Sequence, residues 1–183
     1  MRAAALCLMV ILAGCAGTAR KAPPDAVIRV DLDRYMGTWY VIAREPAFGE
    51  GNQVGVRVAY QRHGSDVVDV GYLAREEDFM HPLQQRSGTA LVLDPASAAL
   101  WSVKFPWSSA DDYVIVYLDS EYRYAIAGDP AHHHALVLAR DQRLSDDTYQ
   151  RLLAVLTAKR YDTGKLLRVP QVEDQLGAPG YTP

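Results

Sequence analysis

Three adjacent histidines, His132-His133-His134, are the first residues to suggest a chemistry, because imidazole is a common metal ligand. Three consecutive side chains in one turn cannot all face a single ion without strain, and no cysteine or carboxylate completes a recognisable ligand spacing. They read as a solvated turn entering a strand. His63 and His81 stand alone and read as loop residues. Paired carboxylates, which general acid–base catalysis uses, occur as Glu76-Glu77, Asp111-Asp112 and Asp146-Asp147. Each pair adjoins a turn or a helix start, where solvation or capping accounts for its charge. The chain carries no Gly-x-Ser-x-Gly elbow, phosphate-cradling glycine loop or Cys–His pair. No catalytic residue, metal ligand or cofactor is assigned, and the chain reads as a non-enzyme.

Cys15 points to a different chemistry. Met1-Arg2 is a short positive start, Ala3 to Leu12 is apolar, and Leu12-Ala13-Gly14-Cys15 ends the run with small residues before a cysteine. About ten apolar residues are too few to span a bilayer, so residues 1–14 read as a secretory signal. The tetrapeptide resembles the lipobox of bacterial lipoproteins. By that resemblance, cleavage leaves Cys15 at the N-terminus with a thioether-linked diacylglycerol and usually a further acyl chain, enough for stable anchoring. Ala16, in place of an aspartate, implies the outer membrane and its periplasmic face. Residues 15–26, poor in large apolar side chains and broken by Pro23-Pro24, read as an acylated start and flexible tether reaching at most roughly 35 Å. Cys7 leaves with the signal, so of the 2 cysteines none remains to form a disulfide. A net charge of −3 without any basic block excludes nucleic acid as an expected partner.

From Gly37 onward the chain repeats one unit, a short alternating run followed by a turn. Strands are predicted to begin at Gly37, Gln53, Asp66, Arg86, Ala99, Asp112, Tyr122 and His134. Gly64-Ser65, Asp94-Pro95 and Gly128-Asp129-Pro130 supply turn chemistry between them. Eight short strands with no intervening helix favour an all-β antiparallel up-and-down barrel, which closes its own edges and leaves room for side chains or one small ligand. A single helix follows. Ser145 is its N-cap, Asp146 and Asp147 suit its positive end, and Tyr149, Leu152, Leu153 and Leu156 recur at helical spacing. A short ninth strand, Lys165 to Val169, stops at Pro170. The barrel domain is placed at 27–171, and residues 172–183 read as a frayed tail.

Gly37-x-Trp39 on the first strand, eight strands, one late helix and a short ninth strand resemble a lipocalin. Asp31 to Met36 is similar to the small helix that closes the base of that calyx. Asp119 to Tyr124 falls at the family's second motif, one residue longer than its usual form. Arg140 falls where the family packs an arginine over the tryptophan, so Gly37, Trp39 and Arg140 form the structural motif. A guanidinium on an indole face contributes roughly 0.5–2 kcal/mol. Val30 to Arg44, and Leu118-Asp119 through Gly128-Asp129-Pro130, are very similar to bacterial outer-membrane lipoprotein lipocalins, a likeness covering Ala16 to Gln171. It implies binding of a fatty acid or lysophospholipid, a role in envelope storage, transport or repair, and a homodimer as a further possibility. Two other readings stand beside it: an enzyme or stress factor of this fold acting on a small apolar compound, and a structural lipoprotein with a filled barrel.

Strand parity then names the lining. With Trp39 and Arg140 inward, period two places Val41, Ala43, Leu138, Leu136 and His134 inside. On strands without that anchor the more apolar face is chosen, giving Val56, Val58 and Tyr60, then Trp101, Val103 and Phe105, then Tyr113, Ile115 and Tyr117. Trp107 is placed at the rim. With Leu136, these are the expected ligand contacts.

Overall fold

Alternation does produce the strands. The computed structural model describes residues 20–45, 51–106 and 108–181, so Cys15 and Trp107 lie outside the described residues. Eight strands, β1 (Gly37–Arg44), β2 (Gln53–Arg62), β3 (Val67–Glu76), β4 (Gln84–Val92), β5 (Leu100–Lys104), β6 (Asp111–Leu118), β7 (Tyr124–Gly128) and β8 (Ala135–Ala139), each pair antiparallel with the next. β1 pairs with both β2 and β8, which closes the ring and leaves it no free edge. The helix α1 (Leu32–Tyr35) crosses one end, its first amides received by the Asp31 carboxylate. The other end is the mouth.

Two apolar layers hold the wall. Inside, Tyr35, Trp39, Val56, Val58, Val68, Trp101, Ile115 and Leu138 form one cluster. Outside, Ile42, Leu100, Val114, Ile126 and Val137 pack beneath α2 (Asp146–Ala158), which contributes Tyr149, Leu152 and Leu156. Ser145 caps α2, its hydroxyl accepting from the Thr148 amide. At the far end of α2, Tyr161 lies against Gly128, where an added Cβ would stand 2.6 Å from the tyrosine ring and 2.7 Å from the His134 carbonyl oxygen. The substitution Gly128→Ala should displace Tyr161 from its bond to the Asp129 carbonyl and lower stability by about 1–3 kcal/mol, measured by urea unfolding.

Two bulges correct the parity assignment. Between Val41 and Ala43 the β1–β8 register shifts, so Ala43 joins the outer cluster, not the interior, and Arg44 turns to the inside. Between Ile115 and Tyr117 the β6–β7 register shifts in the same way. Tyr117 therefore packs in the outer cluster and does not face the interior. One extra residue in a strand moves every later side chain to the opposite face.

Residues 20–26 and 172–181 both make contacts with the rest of the fold. β1 pairs with β2 only over Gly37–Tyr40, and above that the two strands part. Gly55, with φ at +60°, aims its amide at the Pro170 carbonyl, and β9 (Leu167–Arg168) pairs with Ala43 and Arg44. Gln171 bridges the opening, its Nε2 donating to the carbonyls of Val41 at 2.7 Å and Val56 at 3.0 Å. The segment expected to fray continues in contact: Gln175 Oε1 accepts from the Gln171 amide, Asp174 pairs with Arg143 at 2.8 Å, and Arg168 covers the Tyr181 ring. Residues 20–26, expected to be tether, also lie on the barrel. Arg20 pairs with Asp112 at 2.6 Å, the Ala22 amide donates to Asp94, and Lys159 donates to the Asp25 carbonyl.

Candidate functional site

The closed end is built around one arginine. Arg140 donates to the carbonyls of Thr38 (2.7 Å), Arg34 (2.9 Å), Tyr35 (3.1 Å) and Met36 (2.8 Å), and its guanidinium carbon lies 3.8 Å from the centre of the Trp39 ring. Trp39 donates its indole N–H to the Tyr35 carbonyl. Gly37, at φ +91°, takes a backbone geometry that suits glycine, and a Cβ there would sit 3.4 Å from Arg140 Nη1. The Asp119–Tyr124 turn completes the seal. Asp119 accepts from the amides of Arg123 and Tyr124, and the Tyr122 hydroxyl accepts from the Asp31 amide.

At the mouth a cavity of about 430 Å³ enters the barrel. Val41, Val58, Val70, Val103, Phe105 and Leu136 form its apolar walls, Tyr60 and Tyr113 its inner end, and Arg44, Glu45, Tyr72, Asp111, Asp112 and His134 its outer part. Arg44 is only 4% exposed. It donates to the Tyr72 hydroxyl at 2.7 Å and to Gln53 Oε1 at 3.0 Å, while Gln53 Nε2 donates to Glu76. A larger depression, about 650 Å³, lies outside the closed end among Arg29, Asp31, Arg62 and Asp66. Its charged walls suit solvent and not an apolar ligand.

Beneath the cavity the interior is aromatic and tight. Tyr60 and Trp101 lie in ring contact with each other and with both Tyr35 and Tyr113, and Tyr35 also lies against Trp39. Tyr60 donates its hydroxyl to that of Tyr113 at 3.1 Å, and the hydroxyls of Tyr35 and Tyr113 are 3.0 Å apart. Burial pushes the Tyr60 phenol up to about 12, and holds those of Tyr35 and Tyr113 well above the ordinary tyrosine range.

Of the expected contacts, Val58, Tyr60, Val103, Phe105, Tyr113 and Leu136 come together around the cavity. Val56, Trp101 and Ile115 do not line it; they are fully buried in the interior core. Trp101 also donates its indole N–H to the Ala98 carbonyl, the bond of a packed core residue. Sequence reasoning chose nothing from β3, although Val68-x-Val70-x-Tyr72 alternates and its Val70 and Tyr72 line the cavity. Arg44 carried no signal, because the β1 bulge is what turns it inward. The three histidines diverge: His132 faces Asp25, His133 faces Asp129 and His134 faces Glu45. Among the described residues no group of three or more histidine, cysteine or carboxylate side chains is arranged to hold a metal ion.

A family model described as a lipocalin-like domain matches residues 30–171. The chain belongs to the lipocalin family. It is 33% identical over 156 residues to the outer membrane lipoprotein Blc of Citrobacter freundii, covering 81% of this chain and 85% of that one. Temperature-induced lipocalin-1 of Arabidopsis thaliana is 29% identical, with 82% and 84% covered. Among solved structures, insecticyanin of Manduca sexta shares the fold, with a TM-score of 0.64 at 17% identity, covering 88% of this chain and 90% of that chain. A lipocalin of this kind presents one open end, and the cavity occupies it. Among the described residues no helix is long and apolar enough to cross a membrane.

Proposed function

We propose that this lipocalin is a membrane-anchored carrier that holds a single-chain lipid, a fatty acid or lysophospholipid, in its mouth cavity. The observation that carries the reading is the cavity itself: apolar walls for an acyl chain, with buried Arg44 near the opening to face an anionic head. Burial of the chain supplies the driving force, roughly 25 cal/mol per Å² before ordering costs. The likeness to an outer membrane lipoprotein supports acylation of Cys15 and a place on the periplasmic face of the outer membrane. Because Arg20 is docked on the barrel, five residues beyond Cys15, the tether reaches at most about 18 Å and not the longer span expected for a free linker. That holds the cavity next to the leaflet from which it draws lipid. Around the mouth His134 pairs with Glu45 at 3.6 Å and Asp112 with Arg20 at 2.6 Å.

Native mass spectrometry of the purified chain, followed by lipid extraction and titration with a fluorescent fatty acid, tests the reading. The variant Val103→Trp, which fills a wall position of the cavity, should weaken binding about tenfold or more, a loss of at least about 1.4 kcal/mol, while thermal stability changes little. A chain that neither retains nor takes up any single-chain lipid would overturn the proposal.

A further inference from the structure

Three phenols meet at the inner end of the cavity, and their protons do not balance. Tyr35, Tyr60 and Tyr113 carry one hydroxyl proton each, but two hydrogen bonds join them. Tyr60 donates to Tyr113, which uses one proton. If Tyr113 donates to Tyr35, the spare proton is that of Tyr35, whose residue is 0% exposed and set among the rings of Trp39, Tyr60 and Trp101. Tyr113 is the hydroxyl partner of Tyr35 among the described residues, so that arrangement strands a buried donor. If Tyr35 donates instead, Tyr113 accepts twice and its own proton is left over. Tyr113 lines the cavity, so there the donor can be met by whatever fills it.

We propose that this inner end is a subsite for an uncharged oxygen on the buried part of the ligand, so that the cavity prefers acyl chains bearing a hydroxyl, carbonyl or epoxide over plain ones. The proposal rests on the lipid-carrier reading and narrows it. Burial pushes the surrounding phenols toward their neutral forms, so the site offers a donor and disfavours charge. An ionised head therefore stays near Arg44, and the oxygen that reaches Tyr113 belongs to the far part of the chain. The walls between the two ends are apolar, which fixes such a ligand lengthwise with a polar group at each end.

The test is competition of a saturated fatty acid and its ω-hydroxy counterpart of equal length against a fluorescent fatty acid, using the full chain. The hydroxylated acid should bind several-fold to about tenfold more tightly, the range for one buried hydrogen bond. The variant Tyr113→Phe should abolish that difference, so that the two acids bind it alike. Tyr60→Phe, which leaves the Tyr113 hydroxyl in place, should keep it. Equal affinity for the two acids in the unaltered protein overturns the inference whatever the variants do, as does a preference that survives in Tyr113→Phe. Binding of neither acid overturns the carrier reading itself.

Discussion

Raising the pH above 10 is expected to unfold the protein in one cooperative step, with the interior tyrosines ionising as the barrel opens. Tyr35, Tyr60 and Tyr113 sit in the aromatic floor, and burial raises all three phenols from their ordinary value of 10.0, that of Tyr60 to about 12. A raised value means that the folded state holds the proton more tightly than the unfolded chain. The stabilisation this represents is complete below the unfolded value and is lost as pH climbs through the folded one. Each such phenol removes about 1.4 kcal/mol of stability per pH unit across that window, so three together remove about 4 kcal/mol per unit. A domain of ordinary stability, about 5–15 kcal/mol, is exhausted within a few units at that slope. Tyr149 and Tyr161, raised by burial beneath and beyond α2, act in the same direction. Phenolate absorbance followed beside near-ultraviolet circular dichroism checks the expectation. The two signals should change together above pH 10, and Tyr113→Phe should make the loss shallower. Gradual phenolate formation with the dichroism intact would mean that the floor is open to solvent.

The alternating pattern is clearest on β2, β3 and β4, where one face is the more buried and the other the wetter. All eight begin within two residues of their expected starts, and the helix begins directly after its expected Ser145 cap. The failures occur where both faces are buried. Val41-Ile42-Ala43 on β1 and Val114-Ile115-Val116-Tyr117 on β6 are continuously apolar, since their outer faces lie under α2. With no polar partner to mark the solvent side, an extra residue leaves no trace in the pattern, and Ala43 and Tyr117 were assigned to the wrong face. Trp101 shows a different gap. Parity does place it inside, but whether an inward ring borders a cavity or fills the floor depends on the rings around it, here Tyr35, Tyr60 and Tyr113. The tail misled for a third reason. Gln171 and Gln175 look like solvent residues by composition, yet they are 2% and 9% exposed, because the Gln171 side chain donates to the strand carbonyls left open where β1 and β2 part and Gln175 in turn accepts from the Gln171 amide.

Replacing Arg140 by methionine should be among the most damaging single changes, and it should damage stability without touching the ligand. The guanidinium gathers the carbonyls of Arg34, Tyr35, Met36 and Thr38, which tie α1 and the start of β1 to the end of β8, and it covers the Trp39 ring. Methionine keeps much of the stem's volume but no donor, so these carbonyls lose a charged partner together. Hydrogen bonds to charged groups contribute about 1.5–3 kcal/mol each when buried, and the ring contact about 0.5–2 kcal/mol. Arg140 is only part-buried, and carbonyls that reach water recover some of that sum, so a net loss of about 2–4 kcal/mol is expected in urea unfolding. Lysine should restore less than half of it. A compact ammonium cannot serve carbonyls spread across a planar fork, nor stack on the indole as well. Fatty-acid affinity, measured on the folded fraction, should stay unchanged in both variants, because the cavity lies at the opposite end and Arg140 is not among its lining residues. A loss of affinity equal to the loss of stability would show that closing the base also sets the shape of the mouth. Arg140 would then be part of the binding machinery and not of the seal alone.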